Sequence, residues 1–463
     1  MTEQLKLKLN DSKATRWGAL VIVAFTMMAA CYVNDVVAPL KTMLETDLAW
    51  SSTDFGFFTG GYSFLNVFFL MLIWGGLILD RFGIRFTGKL ATILMVGGTA
   101  LEYYAMTGLA GADATLFGIN EIFGYKTGVF VAFAGYSIFG VGAEVAGITV
   151  SKIIAKWFKG KELATAMGVQ VALARIGSQA GYAVAIPLAR AFGISTPVLL
   201  GLVLLLGGMI AFFVFAVMDK KLDKQMEAAA IAAGTEDEEE KFSFKDVKNI
   251  LVNPGFWLIA LLCVLFYSCV FPFQKFASEL MIIKYGINEN VAGTFAGLPA
   301  LGALILTPVF GGFIDKRGKS ASIMLLGSAM LICVHFIYAI PDINYWLVAI
   351  VLMIILGIAF SLVPSAMWPA VAKIFPVSQL GTAYALIFFI QNIGLWGIPT
   401  LIGWVLDAYC ISGKKPDGTN MYDYTVPMCI FTGIACLSLI VALLLKKADK
   451  KYGYKLEEPN IQK

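Results

Sequence analysis

Apolar stretches of about 20 residues, each long enough to cross a hydrocarbon core about 30 Å thick, recur along almost the whole chain. Twelve can be placed, at 17–40, 55–79, 88–108, 127–151, 162–189, 195–218, 256–284, 291–314, 321–340, 345–372, 379–410 and 425–446. A backbone in lipid must satisfy its own hydrogen bonds, which leaves helices or a closed barrel. The alternating pattern of barrel strands is absent. An all-α membrane protein of twelve transmembrane helices is therefore expected. The charge content agrees, since only 14% of residues are charged against about 25% in soluble proteins. The first span serves as the expected targeting segment, because Met1–Arg16 is polar.

The bases fix an orientation. With the N-terminus inside, 27 of the 35 Lys and Arg residues fall on that side. The positive-inside rule then puts both termini in the cytoplasm. The same placement accounts for the net charge of +4 without nucleic acid as a partner. The longest polar break, 219–254, contains the acidic run Glu236–Glu240 and a basic amphipathic piece from Lys241 to Lys248. It reads as a solvated cytoplasmic linker with a short surface helix. The linker divides the chain into two six-helix bundles, 1–218 and 255–446, followed by a cytoplasmic tail at 447–463.

The halves share a motif. Gly76–Arg85 and Gly311–Lys319 each follow an apolar run with an acid, bases and a turn glycine: Asp80, Arg81, Gly83 and Arg85 in one, Asp315, Lys316, Arg317 and Gly318 in the other. Duplication of a charged turn at matching positions points to a transporter whose halves rock against each other. The charged residues of the two turns are the candidate gating groups. As simple topology-setting turns they would need no duplication.

These turns resemble the signature loop of the major facilitator superfamily. Phe139–Glu144, Trp157–Glu162, Leu173–Ser178, Trp368-Pro369, Gln379–Tyr384 and Gln391–Gly394 are similar to one branch of it, the dipeptide uniporters. Tyr62, Ser63 and Asn66 in the second span, and Asp35 in the first, fit the same branch. The resemblance implies the major facilitator fold, a central cavity, alternating access and dipeptides as a substrate class, in a prokaryotic member. It also implies that Glu144 and Arg175 hold the peptide's ammonium and carboxylate. Charged Lys275 and Glu279 in the seventh span depart from the branch, and no acidic-dileucine signal stands in the N-terminal tail. A plasma or bacterial inner membrane is the expected address.

The residues carry part of this chemistry unaided, since ionisable groups inside a span are costly and usually functional. Counted from the turn between the fourth and fifth spans, Glu144 and Arg175 lie roughly 21–24 Å along their helices, at one depth. A dipeptide's charged ends stand roughly 6–7 Å apart, so an acid and an Arg fork on adjacent helices can clamp it. The same two groups can instead form a structural ion pair. Asp35 can bind an ammonium, carry a proton or cap a break near Pro39. Tyr62, Asn66, Trp368, Gln391 and Asn392 can complete a cavity. Lys275 and Glu279, one turn apart, are expected to pair with each other. Glu102 reads as a gate or packing residue, and His335 as either a proton relay or a hydrogen-bonded core residue. The seven cysteines have no metal-ligand spacing. A monomeric carrier of a small molecule, working by uniport or with proton coupling, without cofactor and with any accessory subunit unspecified, is expected. A proton-coupled organic-anion or drug carrier is the alternative, and a transport-dead receptor or scaffold the alternative of another class. No arrangement of catalytic residues or phosphate loop suggests an enzyme.

Overall fold

Polar caps open several of the membrane helices. Ser12 accepts from the Thr15 amide at the start of α1 (Lys13–Val36), and Ser51 and Asp54 form a capping box at the start of α3 (Ser52–Phe68). Between them lie the 3₁₀ turn Ala38–Leu40, which contains Pro39, and short α2 (Lys41–Asp47). The computed structural model describes residues 8–111, 114–158, 161–233, 244–415 and 417–459. The acidic run Glu236–Glu240, Lys241, Lys159 and the last four residues lie outside them.

The N-terminal half continues with α4 (Met71–Thr107), α5 (Thr127–Phe158), α6 (Leu163–Phe192) and α7 (Thr196–Ala233). Helix α8 (Phe244–Val252) precedes the second half. That half comprises α9 (Pro254–Tyr285), α10 (Glu289–Ala296), α11 (Leu298–Arg317), α12 (Ser320–Ala339), α13 (Trp346–Ile374), α14 (Val377–Tyr409) and α15 (Thr425–Tyr452). Two short antiparallel hairpins, β1–β2 (Glu121–Ile122, Tyr125–Lys126) and β3–β4 (Ile411–Lys414, Asn420–Tyr422), join helices at one face.

Among the described residues, nine helices or helix pairs are long and apolar enough to cross a bilayer singly. Helices α3 and α4, which meet at a 58° bend, are long and apolar enough as a pair, and α6 runs for 30 residues. Helix α4 reverses at Gly83, where φ is +75°, a conformation glycine adopts without strain. Its neighbours on α5 show the reversal. Gly75 packs on Val145 and Asp80 pairs with Lys152, after which the contacts run back through Gly98 on Gly135 to Leu109 on Gly128. The turn therefore lies near Lys152, at one membrane face.

That face also carries the termini. Asp11 bonds Lys161, and Arg16 bonds Glu162, in the loop between α5 and α6. Tyr454 beyond α15 donates to Asn253 at the start of α9. Here it is called the termini face, and its opposite the far face. Close helix approach supplies the packing that hydrophobicity cannot supply between helices in lipid. A Cβ on Gly140 would come within 2.0 Å of the Tyr62 carbonyl oxygen.

The halves meet through α3 against α14, α6 against α10 and α11, and the end of α1 against α9. The polar contacts described between them lie from mid-membrane to the far face. Gly56 and Gly403 bring α3 and α14 almost into backbone contact there. The conformation is sealed at the far face.

Candidate functional site

A cavity of about 170 Å³ lies between the halves, lined by Asn34, Tyr62, Tyr136, Glu144, Lys275 and Gln391, with apolar walls from Phe271, Pro272, Leu395 and Pro399. Helix α1 stops just above it, at Val36. The end of a helix leaves carbonyl oxygens without partners and a negative partial charge. Lys275 of α9 fills that position. Its Nζ lies 2.5 Å from the Asn34 carbonyl oxygen, 3.4 Å from Asp35 Oδ1 and 3.3 Å from the Tyr136 hydroxyl. Asn34 Nδ2 donates to Asp35 Oδ1 at 2.8 Å, and the Tyr136 hydroxyl donates to the Asn34 carbonyl at 2.7 Å.

Glu144 on α5 accepts from the Tyr62 hydroxyl at 3.0 Å. Arg175 on α6 lies with its guanidinium carbon 4.9 Å from the Phe360 ring centre, reaching the second half by a cation–π contact. Among the described residues no ion pair joins Glu144 to Arg175. Glu144 and Arg175 thus stand on adjacent helices, each with a partner other than the other.

Across the cavity, Gln391 accepts from the Cys263 thiol at 3.3 Å. Trp368 donates to the Tyr267 hydroxyl at 3.3 Å and stacks on Phe388, and Tyr267 is within range of Arg175. Of the candidate residues, Tyr62, Glu144 and Gln391 line the cavity, while Asp35, Arg175, Trp368, Asn66 and Asn392 are not among its lining. Asn66 is 1% exposed with neither side-chain polar atom bonded, and Asn392 donates to the Phe388 carbonyl of its own helix. His335 is a core residue, bonded to the Cys269 carbonyl at 3.0 Å and stacked on Phe431.

The expected pair of Lys275 and Glu279 does not form. Glu279 instead binds Lys41 of α2 at 2.5 Å and the Tyr424 hydroxyl. Lys41 also binds Glu45 at 2.5 Å, and Lys415 approaches both acids at 3.8 Å. Beside this buried cluster, Asp407 accepts from the amides of Ser52 and Thr53, at 3.3 and 2.5 Å, and Arg190 pairs with Glu289. Together these contacts close the far face. The sequence signal for the cluster was an acid or base at the far end of several spans, which gives no indication of which partners meet.

The duplicated turns lie at the termini face, and the first is bonded within its own half. Asp80 pairs with Lys152 at 3.0 Å. Arg85 pairs with Asp223 at 2.6 Å and Asp219 at 3.7 Å, and Lys156 binds the same two acids. Arg81 lies over Phe82, while Lys316 and Arg317 are exposed and Asp315 is half-buried. Gly318 and Lys319 both take positive φ. There the tail returns, and the Glu457 carboxylate accepts from the Ser322 amide at 2.8 Å, capping α12.

Two helical halves around a polar central cavity, sealed on one side, define an alternating-access membrane carrier. The sequence profile of the Major Facilitator Superfamily matches residues 20–399 and 276–458. The chain belongs to that superfamily, and is thus a multi-pass transporter of a small molecule and not an enzyme. It is 29% identical to the human lysosomal dipeptide transporter MFSD1 over 95% of its own length and 88% of the relative's. The chicken MFSD1 is 33% identical over 59% of this chain and 62% of that one. In three dimensions it is similar to the nucleoside transporter NupG, with a TM-score of 0.68 at 12% identity, covering 92% of this chain and 99% of that one. It is similar also to the peptide transporter POT, with a TM-score of 0.67 at 14% identity and 96% of each chain covered.

Proposed function

We propose that this chain carries small peptides, dipeptides foremost, across its membrane by alternating access. The observation that carries the reading is the separated pair Glu144 and Arg175. Two opposite charges on adjacent helices that are not paired with each other suit a zwitterion, whose ammonium and carboxylate supply the missing counter-charges. Glu144, oriented by Tyr62, takes the ammonium together with Asp35, and Arg175 takes the carboxylate. Gln391 and Trp368 form the opposite wall. Similarity to dipeptide transporters over nearly the whole chain supports this substrate class. The cavity, about 170 Å³, is smaller than the roughly 300–1,000 Å³ of sites for drug-sized ligands, which favours a small substrate.

The excess of Lys and Arg at the termini face makes that face cytoplasmic, so the conformation is inward-facing. A plasma or bacterial inner membrane is the assigned location, and the carrier acts as a monomer without cofactor. Opening to the other side breaks the far-face cluster and draws the two signature turns together at the cytoplasmic face.

Uptake of labelled dialanine against free alanine into proteoliposomes, by wild type and Glu144→Gln, tests the reading. Dipeptide uptake that free alanine does not match, and that Glu144→Gln abolishes, is the expected result. Folded protein that moves an organic anion lacking an amino group, and no dipeptide, would overturn it in favour of an anion carrier.

A further inference from the structure

The buried ion-pair cluster at the far face joins four charges, two from each half. Lys41 and Glu45 stand one turn apart on α2 of the first half, and Glu279 lies toward the end of α9 in the second. Lys415 also belongs to the second half. It follows β3 at the turn of the hairpin, where its amide donates to the Thr419 carbonyl at 2.8 Å and its own carbonyl accepts from the Gly418 amide at 2.9 Å. The Tyr422 hydroxyl ties that hairpin to Asp407 of α14 at 2.7 Å. Each half therefore brings one acid and one base, and each pair is neutral by itself.

The bonds do not follow that division. Lys41 Nζ binds Glu45 Oε1 within its own half and Glu279 Oε2 across the seam, both at 2.5 Å. Lys415 Nζ is buried with no hydrogen-bond partner among the described residues. It lies 3.8 Å from Glu279 Oε1 of its own half and 3.8 Å from Glu45 Oε2 across the seam. Those two carboxylate oxygens are likewise buried and without a hydrogen bond among the described residues. Two open acceptors thus face one open donor, just beyond hydrogen-bond reach. Opening the far face breaks the bond between Lys41 and Glu279. Glu45 keeps Lys41, whereas Glu279 would be left as a bare charge in a low-dielectric interior, which is strongly unfavourable.

We propose that Lys415 is the second-half partner of Glu279 in the transport cycle: as the far face opens, Glu279 passes from Lys41 to Lys415, and each half parts with one acid and one base. Lys415 need move only about 1 Å to reach hydrogen-bond distance, without leaving its hairpin. Tyr424, also of the second half, stays on Glu279 throughout. The two lysines then act in opposite senses although they share both acids. Lys41 holds the face shut, and Lys415 lets it open. Lys415 is a positioning residue that acts through Glu279, and the handover needs an alternating-access carrier but no particular cargo.

The amides of Ser52 and Thr53 report on the seam. The first amides of a helix have no partner within it, and here Asp407 accepts from both across the seam. Their hydrogen–deuterium exchange, followed by mass spectrometry on the full chain in lipid nanodiscs, needs no substrate. Lys415→Met should slow that exchange at least about tenfold, whereas Lys41→Met should speed it. Lys415→Arg, which keeps the charge, should exchange as wild type does. Glu45→Gln should also slow exchange, because Lys41 then has no acid of its own half to keep. In a Glu279→Gln background no carboxylate remains to hand over, so Lys415→Met should no longer slow exchange. Faster or unchanged exchange in Lys415→Met, or faster exchange in Glu45→Gln, would overturn the proposal. Equal slowing by Lys415→Met in both backgrounds would show that the lysine only braces its hairpin, and would overturn it too. Dialanine counterflow in proteoliposomes should follow the same pattern. Absence of wild-type counterflow with the exchange pattern intact would remove the dipeptide reading and support the handover.

Discussion

Lys275 and Glu279 stand one turn apart on α9, yet each serves a different element. Lys275 meets the broken end of α1, and Glu279 meets Lys41 and Tyr424. An i,i+4 pair on a helix surface stabilises by only about 0.2–0.5 kcal/mol, whereas removing one partner of a buried pair costs about 3–5 kcal/mol. The tertiary partners therefore win. Lys41→Met leaves Glu45 and Glu279 buried with only distant Lys415 to balance them, so the sealed far face should lose about 3–5 kcal/mol. Thiol labelling of a Ser52→Cys probe, a position fully buried here, should become fast from the far side in that variant. Unchanged labelling would show that the cluster is not what holds the face shut. At the termini face, the Arg16 guanidinium holds the Glu162 carboxyl below the usual carboxylate range. A depressed folded-state value means that this stabilisation is complete above the ordinary value near pH 4 and is lost as pH falls through the folded one. Melting temperature should consequently fall less steeply with acid in Arg16→Gln than in wild type.

At the scale of elements, the breaks do as much as the helices. The twelve spans were legible because apolar runs of membrane length have few alternatives in lipid. The reversal at Gly83 was legible too, from a glycine among charges. The 58° bend between α3 and α4 was not. No proline or glycine marks Phe69 and Leu70, yet Leu70 takes φ +53°. Helix α7 likewise runs on to Ala233, since Asp219 and Asp223 on it bind Arg85 and Lys156. The α3–α14 seam depends on Gly56 facing Gly403, where a Cβ on Gly403 would come within 2.3 Å of the Ser52 carbonyl oxygen. Gly403→Leu should therefore prevent far-face closure and abolish transport while leaving each half folded. Retained transport would show that α3 and α14 can separate and still seal.

For the whole molecule, the contacts between halves dictate what motion is available. The polar contacts described between the halves lie from mid-membrane to the far face, so the far-face seam is what must open for the halves to part there. Arg190→Cys and Glu289→Cys, at a surface ion pair between the halves, joined by a short cleavable thiol linker, should stop transport until the linker is reduced. Transport unaffected by the linker would mean that this corner of the seam stays closed throughout the cycle. Counting residues along two adjacent helices put Glu144 and Arg175 at one depth. Whether they bind each other could not be counted, since that depends on helix rotation and on Tyr62 and Phe360 arriving from elsewhere. The sequence by itself determined the spans, the two halves, the sidedness of charge and the duplicated turns, all of which follow from one-dimensional spacing and the thickness of a membrane. Only the tertiary structure decided which buried acid meets which base: Lys275 with Asp35, Lys41 with Glu279, and Glu102 with none. In a low-dielectric interior a charge takes its partner from whatever element packs nearest, and chain distance does not encode that.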